Sequence, residues 1–493
     1  MDSETDKLKI VFLPYVTGGH MIPMVDEARV FAQHGVDVTI ILTKANAALF
    51  QKSIDRDFSA GHRIRIHVIQ FPSAQVGLPE GIENLNTITS IDMAGPLTQG
   101  MVFLREPIEQ LLRDVPSDCI VADMFFPWTL DVANDLGIPR LAFRGTSYFS
   151  LCAEHCVRIH EPHKYSSESG FVSLPGFPHK IEMLTLQLPE WSRMTNRFTG
   201  MMDVMREAEE NSYGVLMNSF HELEDAYEEY FKTTMGLKAW SIGPVSLWVN
   251  RDVSDKSGRY NITGGDGHHE VINWLNSKGK NSVLYVSFGG IAKLPATQLK
   301  EIAHGLEASG HPFIWVIRKK QNDEYQQVFT EGIEERMSES KRGFIIKGWA
   351  PQVLILDHPS TGGLVTHCGW NSILEGLNAG LPMIAWPLFA EQFYNEKLLT
   401  DVLRIGVAVG VKEWSNWGQE GTTAVVKREE VEKAVRLVMG GGKEATELRK
   451  KVSELQDAAK KALEIGGSSH ANLMALINEL RSWKIQKSST VTK

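Results

Sequence analysis

Residues 366–377 read THCGWNSILEGL, and three chemistries compete for them. His367 and Cys368 could be metal ligands. They could be a Cys–His nucleophilic pair. Or the segment is an anion cradle, in which a small-residue turn aims the first free amides of a helix at a phosphate. The metal reading is short of ligands, because Cys368 has no Cys-x-x-Cys partner and His358 lies ten positions away. The nucleophilic reading fails on direction, since neighbours on an extended chain point to opposite faces. The cradle suits the composition: Gly369 lets the backbone come close, Asn371 and Ser372 can cap a helix, and His367 adds a donor. Glu375, one turn on, is placed to accept hydrogen bonds from a ribose. On this stretch alone, a plain strand–helix junction that holds nothing stays open.

Two further residues could handle a proton. His20 follows the apolar run KIVFLPYV (9–16), within GGHMIP (18–23), and Asp123 closes CIVAD. A base is what an alcohol needs to become a nucleophile at neutral pH. Taken singly, His20 is one of 16 histidines, and Asp123 reads equally well as a strand-end cap.

The elements that must position these groups follow from hydrophobic patterning. Runs 9–16, 36–43, 64–72, 119–125 and 140–145 alternate with amphipathic stretches. The alternation restarts at SVLYVSFGG (282–290) and continues through 313–318, 343–349, 363–370 and 381–387. Continuous apolar strands separated by helices imply parallel sheets covered on both faces. With 493 residues, the expectation is two doubly wound α/β domains, with ligands at the strands' carboxyl ends and in a central cleft. The expected division is 1–248, a polar Gly-rich linker or mobile loop at 249–270, a second domain at 271–465, and a helix at 466–485 that packs back on the first.

Composition excludes other classes. The hydrophobic share is 43% and the charged share 23%, as in globular enzymes, and the net charge of −9 disfavours nucleic acid as a partner. Cys119, Cys152, Cys156 and Cys368 are too few and too scattered for a disulfide framework, which points to a reducing compartment. The N-terminus carries acidic residues where a signal peptide wants basic ones, and no run approaches the roughly 20 apolar residues of a membrane span. A cytoplasmic monomer is expected, without a membrane span but with room for peripheral association with endoplasmic reticulum enzymes.

Residues 349–392, WAPQVLILDHPSTGGLVTHCGWNSILEGLNAGLPMIAWPLFAEQ, resemble over their whole length the signature box of plant UDP-dependent glycosyltransferases, the family 1 enzymes of GT-B fold. The resemblance extends to GGHMIP, SFGG and the overall length. It implies that Trp349 stacks on uracil, whose edge meets the Ala350 backbone. Gln352 and Glu375 would hold the ribose, and His367, Asn371 and Ser372 the diphosphate. Trp370, Glu391 and Gln392 would face the sugar, with backbone donors from Ser287 to Gly290. Here the sequence departs from the commoner Phe–Gly–Ser form, and Gly290 has no hydroxyl to offer.

In the family pattern the positions of His20 and Asp123 carry the catalytic base and its carboxylate partner. His20 would take the acceptor proton while Asp123 orients and stabilises the imidazolium. Attack from the face opposite UDP would invert configuration. No metal or cofactor is expected. Gln392 at the end of the box implies UDP-glucose, with UDP-galactose or UDP-glucuronate as alternatives. The clusters MFFPW (124–128), LQLPEW (186–191) and FTGMMDVM (198–205) suit a lipophilic acceptor or, equally, a core. Segments 241–250 and 411–418 resemble those of legume enzymes acting on triterpenoid saponins, which makes a triterpenoid or its glycoside the expected acceptor and a flavonoid the runner-up.

The remaining sequence signals are weaker. Asp55–Arg56–Asp57 is a literal Asp-x-Asp, read as a solvated surface segment. Cys152, His155, Cys156 and His160 share helical spacing and leave zinc as a minor reading. Gly440–Lys443 lacks P-loop spacing, and GGHMIP fails the dinucleotide fingerprint of an epimerase or dehydrogenase. A non-catalytic UDP-sugar-binding protein is the remaining alternative.

Overall fold

The computed structural model describes residues 7–167, 170–250, 256, 267–317, 332–415 and 424–491. They form two compact units. One takes the described residues of Met1–Gly145, Asn196–Asn261 and Lys460–Lys493, the other those of Thr146–Thr195 and Ile262–Ala459.

The first unit is built on a seven-stranded parallel sheet: β1 (Lys9–Leu13), β2 (Asp37–Thr43), β3 (Ile64–Ile69), β4 (Cys119–Asp123), β5 (Arg140–Phe143), β8 (Gly214–Met217) and β9 (Ala239–Ser241). A small antiparallel pair, β6 (Phe171–Ser173) and β7 (Glu182–Leu184), belongs to the second unit. The sheet order is 3-2-1-4-5-8-9, so it reverses between β1 and β4, where Leu13 pairs with Ala122. Such a switch point opens a crevice at the strands' carboxyl ends, because successive crossovers leave in opposite directions. Val11, Phe12, Ile120 and Val121 are buried, as strands covered on both faces require.

The helix Ser468–Val491 belongs to this unit. Ser469 Oγ donates to the Gly243 carbonyl at 2.6 Å, and Glu479 takes the Tyr213 hydroxyl and the Lys238 ammonium. Lys238 also lies 4.4 Å from the Tyr213 ring centre, so the anchor is both ionic and aromatic.

The second unit carries a six-stranded parallel sheet: β10 (Val283–Ser287), β11 (Phe313–Ile317), β12 (Gly343–Lys347), β13 (Thr361–Thr366), β14 (Met383–Ala385) and β15 (Gly406–Ala408). Its order, 12-11-10-13-14-15, switches between β10 and β13, where Ser287 pairs with Thr366.

The expected first domain, 1–248, is corrected at 146–195, which packs with the second unit. The reason is a set of long-range contacts that no local pattern announces. Gln187 Nε2 donates to the Val411 carbonyl at 2.9 Å, and the Trp191 and Trp414 rings meet edge-on at 5.3 Å. Most of the expected linker at 249–270 lies outside the described residues.

Asp57 of the literal Asp-x-Asp is not solvated. It is buried against Arg29, whose Nε and Nη2 reach its two oxygens at 2.6 and 3.2 Å, while Asp55 is exposed. The pair pins the helix Lys44–Ser59 to the helix Gly18–Gln33, a structural task.

Glu27 on that same helix is fully buried, and neither carboxyl oxygen has a hydrogen-bond partner among the described residues. Burial, then the charges of Asp26 and Asp123, push its carboxyl well above the usual range. The unfolded chain therefore releases this proton at lower pH than the folded one, so stability falls as pH rises above the ordinary glutamate value. Glu27→Met is expected to stabilise the fold by about 2 kcal/mol at neutral pH, because it removes an unpaired buried polar group. Chemical denaturation at pH 4.5 and 7.5 should show the smaller gain at the lower pH.

Candidate active site

The first constellation sits at the β1–β4 switch point. The helix Gly18–Gln33 begins directly after β1, and His20 lies in its first turn. Asn86 Oδ1 accepts from the Gly18 amide at 2.8 Å and fixes where that turn starts. Asp123, the last residue of β4, is fully buried, and His20 retains 22% side-chain exposure. His20 Nδ1 lies 2.7 Å from Asp123 Oδ2, and the other carboxylate oxygen accepts the Phe125 amide at 3.1 Å. With Nδ1 held by a carboxylate, the proton sits on that nitrogen and Nε2 is the basic position.

The walls are aromatic. Ring centres of Phe125, Tyr15 and Phe143 lie 5.5, 6.2 and 6.2 Å from that of His20. Tyr15 is pushed up to about 12 by burial and by Asp123, so it keeps its proton at neutral pH. Of the expected lipophilic clusters, MFFPW does stand beside His20 through Phe125. FTGMMDVM divides: Met202 and Met205 are buried in the core, and Phe198, Met201 and Val204 are exposed.

The second constellation sits at the β10–β13 switch point of the other unit. After β13 the chain turns at Cys368, which has φ +64, and the helix Trp370–Asn378 begins. Gly369 precedes that helix as an N-cap with no side-chain cap hydrogen bond, and the N-terminus of a helix is the end that favours an anion. Burial pushes the His367 imidazole down to about 4, and its Nδ1 is buried without a hydrogen-bond partner among the described residues. His367 is thus neutral at working pH and would meet a phosphate oxygen as an N–H donor. Cys368 is fully buried, and its thiol is pushed far up by burial and by Glu396, which leaves it inert as a ligand or nucleophile.

One turn along the helix, Glu375 is joined to Gln352, whose Nε2 donates to Glu375 Oε2 at 2.8 Å and to Ser372 Oγ at 3.2 Å. The Tyr285 hydroxyl donates to Gln352 Oε1 at 3.3 Å. The expected ribose and diphosphate groups thus form one hydrogen-bonded set. Trp349 is 39% exposed, a large aromatic face open to a flat ring, and Ala350 beside it is buried. Asn371 and Ser372 are half-buried, as is Glu391. Ser287 ends β10 as a buried residue, and Gly290 is exposed.

Two expected sugar contacts look different in three dimensions. Trp370 is 1% exposed, so its ring is packed in the interior at the helix start and not presented as a face to a ligand. Gln392 is buried, and its Oε1 accepts from the Leu388 and Phe389 amides at 2.9 and 3.1 Å. Only its amide nitrogen can serve a sugar hydroxyl, as a donor.

Among the described residues no group of three or more His, Cys, Asp or Glu is arranged to hold a metal. Cys152 and Cys156 are buried, and Cys156 Sγ lies 3.2 Å from the Pro175 carbonyl. Among the described residues no helix is long and apolar enough to cross a membrane.

The family model described as "UDP-glucoronosyl and UDP-glucosyl transferase" matches residues 7–437. A soyasapogenol B glucuronide galactosyltransferase of Glycine max is 51% identical, covering 100% of this chain and 99% of its own. A UDP-glucosyl transferase 73CC6 of Saponaria officinalis is 45% identical, over 98% of this chain and 99% of its own. The crystal structure of Glycyrrhiza uralensis UGT73P12 with glycyrrhetinic acid 3-O-monoglucuronide superposes with a TM-score of 0.94 at 51% identity, covering 99% of this chain and 98% of that one.

Proposed function

The chain belongs to the UDP-glucoronosyl and UDP-glucosyl transferase family, and we propose that it transfers glucose from UDP-glucose, with inversion and without a metal, to a hydroxyl of a triterpenoid glycoside. The observation that carries the mechanism is the 2.7 Å pairing of His20 Nδ1 with buried Asp123. Nε2 of His20 removes the acceptor proton as the acceptor oxygen attacks the anomeric carbon. The carbon–oxygen bond to the diphosphate breaks, and UDP leaves with the bonding pair. Asp123 stabilises the imidazolium, and the charge gathering on the diphosphate is met by the His367 N–H and the amides at the start of the helix Trp370–Asn378. These donors replace the cation that other phosphate chemistry uses, which is why EDTA should leave the rate unchanged.

The acceptor class rests on the relatives, because the soybean relative is named for a triterpenoid glucuronide and the licorice structure binds one. A galactose donor is the second reading, favoured by the soybean relative's name. Purified protein incubated with UDP-glucose, UDP-galactose or UDP-glucuronate and a soyasapogenol glucuronide, with and without EDTA, decides by product mass and donor competition. Glucose transfer that survives EDTA is the expected result. Preference for another donor, or loss of activity with EDTA, overturns that part of the proposal.

A further inference from the structure

The turn at Cys368 is what aims the candidate diphosphate donors, and it is a strained one. A non-glycine residue at φ +64 keeps that conformation only when its surroundings impose it. Part of the restraint is local, since the Cys368 amide donates to Thr366 Oγ1 at 3.1 Å, and the long-range part comes from Asn395, three residues beyond the signature box. Asn395 is fully buried, and its Nδ2 donates to the Cys368 carbonyl at 2.9 Å. The same nitrogen lies 3.4 Å from Glu391 Oε1. Its Oδ1 accepts from Ser147 Oγ at 2.8 Å, and Ser147 Oγ in turn accepts the Ser150 amide at 3.0 Å, which fixes the hydroxyl at the start of the helix Tyr148–His160. Every polar atom of the Asn395 carboxamide is therefore committed, and no part of it is free to touch a ligand.

We infer that Asn395 is a positioning residue for the donor: its amide holds the Cys368 turn, and so sets His367 and the Gly369–Trp370 amides, while bracing Glu391 from the other side. This rests on reading 349–392 as the UDP-sugar site. If the amide is lost, the Cys368 carbonyl is left buried and unsatisfied, and the turn can relax toward extended backbone. The consequence falls on the diphosphate and the sugar, not on the acceptor.

The test uses the full chain. Asn395→Leu keeps the volume and deletes both hydrogen-bonding ends. Asn395→Asp keeps the acceptor for Ser147 and deletes the donor to Cys368. Folding is checked by circular dichroism melting, UDP affinity by calorimetry, and donor and acceptor KM by steady-state rates. For either variant that folds, UDP should bind about tenfold more weakly, as expected for a lost buried hydrogen bond. Donor KM should rise in parallel, with acceptor KM within about twofold of the parent value. A folded variant with unchanged UDP affinity, or one in which both KM values rise together, overturns the inference while the donor site stands. A parent protein that does not bind UDP overturns the reading beneath it, and this inference with it.

Discussion

His20→Ala is expected to bind UDP like the parent protein and to transfer sugar about a thousandfold more slowly, the usual loss when a positioned general base is removed. The geometry leaves no substitute. Asp123 is fully buried, with Oδ2 on His20 and Oδ1 on the Phe125 amide, so it cannot swing out to take the proton itself. Tyr15, the other titratable group in the aromatic wall, is held up near 12 and stays protonated. Asp123→Asn should cost nearly as much for a different reason. An amide can donate to Nδ1, which would place the imidazole proton on Nε2, where the base must be empty. The two variants separate base from orienter, because a high concentration of exogenous imidazole can replace a missing base but cannot correct a wrong tautomer. Turnover of His20→Ala within tenfold of the parent would remove this residue from the role.

Much of this architecture was legible in the chain. The alternation of apolar runs marks ten of the thirteen strands of the two sheets, because a parallel strand buries both faces, but it does not announce β8, β9 and β15, which are only three or four residues long. The groups placed near one another in sequence, Gln352 with Ser372 and Glu375, do meet, because strand–turn–helix geometry is local. His20 and Asp123 are 103 positions apart, and their pairing follows from sheet order, which the motif alone does not contain.

What was not legible depends on contacts with no periodicity. Asn86, Tyr15 and Asn395 are ordinary residues in the sequence and matter only through what folding brings to them. The stretch 146–195 follows a strand of the first sheet, yet packs with the second unit through Ser147, Gln187 and Trp191. Asp57 reads as a surface acid until Arg29, 28 residues earlier, is seen to bury with it. Trp370 and Gln392 sit where a motif promises ligand contact, but the Trp370 ring is packed away and the Gln392 oxygen is spent on the chain's own amides, which leaves only the Gln392 nitrogen to face a ligand. Motif position tells which segment meets a ligand, not which atoms do.

Gly369→Ala should raise donor KM on the order of a hundredfold while leaving the fold intact, since misplacing a binding group by a fraction of its own size has effects of that order. The backbone at Gly369, φ −65 and ψ 135, is open to alanine, so the substitution carries no conformational penalty. The obstacle is His367. A Cβ at 369 would stand 2.6 Å from the imidazole Nε2 and 3.0 Å from Cε1. A Cβ at Gly289 would stand 2.7 Å from the same nitrogen from its own position. The ring thus lies in a slot shaped by two glycines, and a single methyl group must shift it off the position from which it can donate to a phosphate. Gly289→Ala would add strain to the same steric conflict, because its φ is +76, and is expected to lose stability as well as affinity. Gly441→Ala, where nothing lies within 4 Å, is the control. The decisive comparison is a double-mutant cycle. In a His367→Ala background the Gly369 methyl has nothing to displace, so Gly369→Ala should add little to the rise in donor KM that His367→Ala already causes. Additive losses would mean that Gly369 serves the ligand directly by close backbone approach, and that the imidazole slot is incidental.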